Sequence, residues 1–286
     1  MRIINTPKEM QAFSNSVRAE GKTIAFVPTM GFLHAGHASL LGLGRKKADV
    51  LVLSIFVNPS QFGPNEDLDA YPRNLEGDFA IAEKEGVDAV FTPKPGDIYP
   101  KGYQTYVNLE TLPDHLCGLS RPGHFRGVAT VVTKLFNMVK PHFAFFGQKD
   151  FQQLAVIKRM VLDLDFDIEI IGAPILRESD GLAMSSRNSY LTADQRKSSL
   201  CLYQAMCKAR DLVAAGIKNT SEIISEAEKI IKTQPGAKID YLAVVDPDTF
   251  EDVSILDKPC LFALAVIIGS TRLIDNTILA PSGSNN

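Results

Sequence analysis

Asp49-Val50-Leu51-Val52-Leu53-Ser54-Ile55-Phe56-Val57 is an almost unbroken apolar run. A strand with one wet face alternates apolar and polar residues. A run this continuous instead fits a parallel strand covered on both faces. Upstream of it, Thr23 to Val27 is a short β-rich run, followed by a loop and an apolar, helix-like stretch from about His37 to Lys47. Further upstream, Thr6-Pro7-Lys8-Glu9 reads as a capping box with proline in the first turn, opening a helix that Gly21 can end. Downstream, Asn74 to Glu85 reads as helix, Gly86 stops it, and Val87 to Phe91 is the next strand. Helix and strand thus alternate over the first 91 residues, the pattern of a doubly wound sheet.

The alternation continues with a long apolar helix from Phe125 to Val139, ended by Pro141, and a short strand from Phe143 to Phe146. A helix around Phe151 to Leu162 and a strand at Ile168 to Ile171 follow. From Thr192 the texture changes. Thr192 and Gln195 form a second capping box, and helices over about Ala193 to Ala215 and Ser221 to Thr233 run in succession. Strands near Ile239 to Val245, Leu261 to Ile268 and Arg272 to Leu279 come next. The reading is an α/β protein: a Rossmann-like, doubly wound parallel sheet over residues 1–175 and a smaller α+β C-terminal domain over residues 176–286. The tail from Ser282 to Asn286 is small and polar and is expected to lack order.

At 286 residues the chain exceeds the size at which one core stops growing, in keeping with one large and one small domain. Hydrophobic residues at 45% and charged residues at 22% supply a sizeable core and exclude disorder. A net charge of −3 gives no basic surface for nucleic acid, so anionic substrates would be held by local cations and helix N-termini. The four cysteines, Cys117, Cys201, Cys207 and Cys260, lack zinc spacing and the density of a secreted scaffold. The N-terminus shows no apolar signal region, and the longest apolar run, Leu261 to Ile268, is too short for a bilayer. A cytoplasmic location without membrane contact is the expectation.

Two segments carry chemistry. Pro28-Thr29-Met30-Gly31-Phe32-Leu33-His34-Ala35-Gly36-His37 lies where a predicted strand ends and a helix begins. Ligands of doubly wound sheets bind there, and a helix start offers unpaired N–H groups to phosphate. Imidazoles three residues apart can both face a triphosphate. The duller alternatives are a surface pair or half of a metal site, and no third ligand cluster supports a metal. Ser179-Asp180-Gly181-Leu182-Ala183-Met184-Ser185-Ser186-Arg187-Asn188 joins hydroxyls to an arginine in a loop able to close over phosphate. Alone it is more often a plain polar turn than a phosphate clamp, and it gains weight only from its partner upstream.

Taken together, H-x-G-H early and Met-Ser-Ser-Arg late resemble the nucleotidyltransferase superfamily with its adenylyl-transferring chemistry. Further segments make the chain similar to the pantothenate synthetase family: Asn58-Pro59-Ser60-Gln61-Phe62-Gly63, Asp67-Leu68-Asp69-Ala70-Tyr71-Pro72-Arg73, Gly123-His124-Phe125-Arg126-Gly127-Val128 and Phe146-Gly147-Gln148-Lys149-Asp150. Tyr241 to Asp246 and Thr271-Arg272-Leu273-Ile274-Asp275-Asn276 add a sparser C-terminal match. The resemblance implies an ATP-dependent ligase: pantoate attacks the α-phosphorus of ATP, and β-alanine then displaces AMP from the pantoyl-adenylate.

It also implies roles. His34 and His37 would bind the ATP phosphates, His37 assisting pyrophosphate departure as a proton or hydrogen-bond donor. Thr29, Met30, Gly147, Asp150, Leu176 and Met184 would line the nucleotide, Asp150 through the ribose hydroxyls and Met30 and Leu176 through backbone atoms. Lys149, Ser185, Ser186 and Arg187 would neutralise and clamp the phosphates. Gln61 and Gln153 would grip pantoate, an amide being able both to donate and to accept. Arg121 would hold an anionic group of substrate or product. At Asp78 the family has a carboxylate near Mg²⁺, but here Gly77 departs from the pattern, leaving direct ligation open; phosphates and water would then hold the ion. A homodimer is the implied assembly. Two rivals remain: a nucleotidyltransferase that passes AMP or CMP to a phosphorylated acceptor, which has no need of the two glutamines, and a nucleotide sensor without turnover, which has no need to stabilise a departing pyrophosphate.

Overall fold

The structure, a computed structural model, describes residues 1–64 and 66–281, so the expectation for the tail lies outside the described residues. By contacts the chain forms two compact units. The first comprises Met1–Glu110, Arg121–Gln148 and Gln153–Leu176; the second comprises Thr111–Ser120, Lys149–Gln152 and the residues from Arg177 on. Two short segments from the span assigned in sequence to the first domain therefore belong to the second unit.

In the first unit the strands are β1 (Arg2–Ile4), β2 (Ile24–Thr29), β3 (Val50–Ile55), β4 (Ala89–Phe91), β5 (Phe143–Gly147) and β6 (Glu169–Ala173). They form one parallel sheet in the order β1-β4-β3-β2-β5-β6. Its helices are α1 (Pro7–Ala19), α2 (Ala35–Lys47), α3 (Leu75–Lys84), α4 (Pro95–Ile98), α6 (His124–Val139) and most of α7 (Phe151–Asp163), while α5 (Cys117–Ser120) lies in the second unit. The continuous apolar character of β3 follows from this layering. Val50 and Val52 join Met10, Phe136 and Ile157 in one core, whereas Leu51 and Leu53 join Leu40, Leu41 and Ala82 in another. Alternate residues point to opposite faces, so both cores need apolar side chains.

Local chemistry starts the helices as the sequence implied. The Thr6 hydroxyl accepts the Glu9 N–H (3.3 Å) while the Glu9 carboxylate accepts the Thr6 N–H (3.1 Å). Successive connections carry the chain from β2 to β3 to β4, and β5 and β6 then add on the other side of β2. The order reverses between β2 and β5, and ligands of such sheets bind beyond the carboxyl ends of the strands at that point. Strand β1 had no signal in the sequence: three residues paired to β4 are too few to show a period.

The second unit carries α8 (Ala193–Ser198), α9 (Cys201–Ala214), α10 (Thr220–Lys232) and an antiparallel sheet, β7 (Ala237–Val245), β8 (Cys260–Ile268) and β9 (Thr271–Leu279). One helix over Ala193 to Ala215 was expected, and the structure breaks it at Ser199–Leu200. The buried Ser199 hydroxyl donates to the Arg196 carbonyl (2.7 Å), a back-bond that competes with the helical ladder and ends α8.

Phe136 of α6, 2% exposed, meets Phe26, Phe146 and Phe166 edge-on at centroid distances of 6.4, 6.5 and 5.9 Å. Phe136→Ala is expected to destabilise the protein by about 3–5 kcal/mol. Urea unfolding checks this, and a loss below about 1 kcal/mol would contradict the packing described.

Candidate active site

The candidate residues divide between the units. Thr29, Met30, His34, His37, Gln61, Asp78, Arg121, Gly147, Gln153 and Leu176 belong to the first; Lys149, Asp150, Met184, Ser185, Ser186 and Arg187 belong to the second.

In the first unit, β2 runs out at Thr29, whose hydroxyl donates to the Ser54 carbonyl of β3 (2.8 Å) and accepts the Gly31 N–H (3.2 Å). The chain then turns through left-handed conformations at Gly31 (φ +85°) and Phe32 (φ 51°). Glycine is needed at the first, where a Cβ would come within 3.0 Å of both Asp78 Oδ2 and Ile55 Cγ2. Asp78, in the first turn of α3 and 3% exposed, holds the turn: one oxygen accepts the Phe32 N–H (3.0 Å), the other the Leu33 N–H (2.6 Å). Burial pushes its carboxyl up, and the two N–H bonds pull only part of the way back. Each oxygen of the candidate metal ligand thus accepts one backbone N–H. Among the described residues no group of three or more His, Cys, Asp or Glu could hold a metal ion. In this structure Asp78 shapes the turn through these two bonds.

His34 is the N-cap of α2. Its Nδ1 accepts the Gly36 N–H (3.1 Å), and the His34 N–H donates to Nδ1 of His37 (3.3 Å). This is a capping box written in imidazoles where serine and glutamate are usual. For neutral rings this network assigns the tautomer of both. A nitrogen that accepts carries no proton, so Nε2 bears it in each. The rings lie 4.1 Å apart between centroids, tilted by 35°.

Gln61 sits in the 3₁₀ turn Pro59–Gln61 after β3 and is 8% exposed. Asn58 Nδ2 donates to Gln61 Oε1 (3.0 Å) and to the Gly127 carbonyl (3.2 Å). With its oxygen so engaged, Gln61 turns Nε2 toward the Met30 sulfur (3.2 Å). Asn58 is itself oriented by the hydroxyls of Ser60 (2.9 Å) and Tyr99 (2.8 Å), which donate to its Oδ1, and burial pushes the Tyr99 phenol up to about 12. Gly127 lets this turn approach α6, because a Cβ there would lie 2.3 Å from the Ser60 carbonyl.

Arg121 belongs to the same assembly. Nε and Nη2 donate to the two Glu66 oxygens (2.7 and 2.6 Å), and Nη1 donates to His124 Nε2 (3.1 Å), whose Nδ1–H donates to the Gln61 carbonyl (2.8 Å). The guanidinium that the resemblance assigned to a substrate anion already faces a carboxylate of this chain. Gly147, at the carboxyl end of β5, adjoins open space, since a Cβ there would meet nothing within 4 Å. Gln153 is half-buried on α7, and Leu176 is exposed beyond β6. Asn58, Glu66, Tyr99 and His124 escaped the sequence reading as working residues. The available signal was position alone, for Asn58 follows the end of β3.

In the second unit, Lys149 and Asp150 lie in the 3₁₀ turn Gln148–Asp150 before α7, and Asn276 Nδ2 donates to the Lys149 carbonyl (2.9 Å). Ser185 caps the 3₁₀ turn Ser186–Tyr190, its hydroxyl accepting the Arg187 N–H (3.3 Å); Ser186 is buried, Met184 and Arg187 half-buried. Asn188 ties this turn back to Glu178 Oε1 (3.0 Å) and the Ala183 carbonyl (3.1 Å).

Fold and site together define a class: a doubly wound α/β protein with a ligand turn at a helix N-terminus beyond its switch point. Comparison with known proteins is specific. The model of the family described as pantoate-beta-alanine ligase matches residues 2–278, and the chain belongs to that family of enzymes, ligases of pantothenate biosynthesis. It is 62% identical to a pantothenate synthetase of Desulfatibacillum aliphaticivorans, over 98% of this chain and 100% of that one. The crystal structure of pantothenate synthetase from Thermus thermophilus superposes with a TM-score of 0.93 at 42% identity, covering 98% of this chain and all of that one. The pantoate-beta-alanine ligase of Francisella tularensis, complexed with beta-gamma ATP and beta-alanine, matches with a TM-score of 0.82 at 35% identity over 97% of each chain.

The Glu66–Arg121 pair makes a prediction in acid. Burial alone would raise the Glu66 carboxyl, but the Arg121 hydrogen bonds and charge outweigh it and hold the group below its ordinary 4.5. A carboxyl depressed by folding contributes stability that is present above the unfolded value and is lost as pH falls through the folded one. Between pH 4.5 and that lower value the wild-type melting temperature should therefore fall more steeply than that of Glu66→Gln. Parallel curves for the two proteins would show that the pair contributes nothing.

Proposed function

We propose that the chain condenses pantoate with β-alanine at the expense of ATP, through a pantoyl-adenylate. The observation that carries the reading is the imidazole capping box at the switch point of the sheet. It sets two protonated Nε2 atoms beside a helix N-terminus, a donor array suited to a polyphosphate. The family and the relative complexed with beta-gamma ATP and beta-alanine support the choice of substrates.

In the first step a pantoate carboxylate oxygen attacks the α-phosphorus, the bond from that phosphorus to the bridging α–β oxygen breaks, and pyrophosphate leaves with the electron pair. In the second, the β-alanine amine attacks the acyl carbon, the carbon–oxygen bond to AMP breaks, and the nitrogen loses a proton. The anhydride supplies the leaving group that a free carboxylate lacks. Positioning and neutralisation of charge do most of the work.

His34 and His37 donate to phosphate oxygens, His37 serving as hydrogen-bond donor to the departing pyrophosphate. Gln61 donates from Nε2 to pantoate because Asn58 has claimed its oxygen, and Gln153 supplies a second amide. Lys149, Ser185, Ser186 and Arg187 neutralise and clamp phosphate charge. Thr29, Met30, Gly147, Asp150, Leu176 and Met184 contact the nucleoside or its phosphates. Arg121 braces the Gln61 turn through His124, and its guanidinium holds an anionic group of substrate or product. Mg²⁺ would enter with ATP and supply neutralisation of phosphate charge, and Asp78 is the side chain of this chain that would stand near it.

Incubation with ATP, Mg²⁺ and pantoate should release pyrophosphate, and added β-alanine should then release AMP. Absence of pantoate-dependent pyrophosphate would sink the ligase reading and favour a nucleotidyltransferase with another acceptor. His37→Ala and Lys149→Ala should each slow pyrophosphate release by about 10²–10³-fold, the scale of one lost transition-state donor. Near-normal rates in folded variants would refute the assigned roles.

A further inference from the structure

Asp275 and Asn276 stand side by side on β9, 2% and 6% exposed, and successive residues of a strand face opposite ways. Asp275 takes Arg177 in a two-pronged ion pair, Nη1 to Oδ2 at 2.7 Å and Nη2 to Oδ1 at 2.9 Å. Arg177 donates in addition to the Gly181 carbonyl (3.0 Å), and its guanidinium lies 5.1 Å from the centre of the Tyr203 ring. Glycine is required at 181, where φ is +98° and a Cβ would fall 2.1 Å from that ring. Arg177 bridges to Ala183 across this small loop, and the Asn188 amide ties the loop to the Ser185–Arg187 turn. Asp275 thereby fixes the base of the turn. One residue on, Asn276 bonds the Lys149 carbonyl and fixes a peptide plane at the root of the lysine side chain. An ammonium on a long flexible stem is aimed only as well as the backbone beneath it.

We infer that Asn276 is a positioning residue for Lys149 and that Asp275 is one for the Ser185–Arg187 turn through Arg177, so that one strand step aligns both cation-bearing segments. The inference rests on the proposed function, which gives Lys149 and Arg187 their work. Asp275→Asn would leave the half-buried Arg177 guanidinium without its counter-charge and put the fold itself at risk. Asn276 therefore carries the test.

The full-length wild type, Asn276→Ala, Asn276→Asp, Lys149→Ala and the double variant Lys149→Ala/Asn276→Ala are compared by pantoate-dependent pyrophosphate release, with circular dichroism and thermal melting as fold controls. Asn276→Asp keeps the shape but cannot donate to a carbonyl, so it should match Asn276→Ala, each slower by about 10–10²-fold, the scale of a small misplacement. The double variant should be no slower than Lys149→Ala, because a residue that acts through another adds nothing once that other is gone. The KM for β-alanine should not move. Effects that multiply in the double variant, or normal release by Asn276→Asp, overturn the inference alone. An active wild type with an unimpaired Lys149→Ala overturns the role given to Lys149, and the inference with it.

Discussion

A single buried carboxylate holds the turn on which the ligand end of the sheet depends. Between β2 and α2 the chain runs through two consecutive left-handed residues, Gly31 and Phe32, and the Phe32 and Leu33 amides donate to Asp78. Each buried amide left unpaired costs about 1–3 kcal/mol. Asp78 answers both at once, and its own burial is tolerable only because they answer it. With Phe32 and Leu33 so held, His34 arrives in extended conformation at the head of α2, where its ring can cap the helix. The imidazole pair is thus downstream of Asp78, though Asp78 lies more than forty residues further along the chain.

The same economy recurs elsewhere in the chain. Around Gln61, every polar group that fixes the amide is fixed by another: Tyr99 and Ser60 orient Asn58, Asn58 orients Gln61, and Glu66 and Arg121 hold His124 against the Gln61 carbonyl. Fully satisfied networks of this kind give a side chain one orientation where an isolated amide would have two. In the second unit the ion pair of Arg177 with Asp275 does for a loop what Asp78 does for the His34 turn. Such a pair contributes little net stability, since desolvation offsets attraction, but it admits few alternatives.

These dependencies explain what was legible in the sequence. Val50–Ile55, Leu261 to Ile268 and the two capping boxes at Thr6 and Thr192 are local patterns, and the structure has a strand or a helix start at each. The His34 turn could be located because it lies at a strand-to-helix junction, which is also local. What escaped depends on partners distant in sequence. The bonds from Asp78 to the Phe32 and Leu33 amides and from Arg121 to Glu66 leave no local trace, since each joins residues more than forty positions apart. Strand β1 exists because β4 offers an edge, and the break between α8 and α9 because one serine hydroxyl turns back on its own helix. Residue types in a local order show where chemistry can occur; the division between residues that touch a ligand and residues that hold those residues is a property of the folded chain.

The imidazole capping box also constrains what chemistry is economical. Carboxylic acids with pKa values near 4 are ionised at neutral pH, so a carboxylate nucleophile needs no base to take a proton before it attacks phosphorus. In the proposed first step the leaving pyrophosphate would gain charge, and the useful contribution would be a donor already in position. Adding a second proton to either ring would convert Nδ1 from acceptor to donor, set it against a backbone N–H, and break the cap that orients the pair. Proton transfer through these rings would therefore disturb the start of α2 at each turnover, whereas hydrogen-bond donation from Nε2 leaves it intact. On the proposed reading, then, the same two bonds that begin a helix also select donation over acid catalysis, and a helix cap and a catalytic device become one arrangement of atoms.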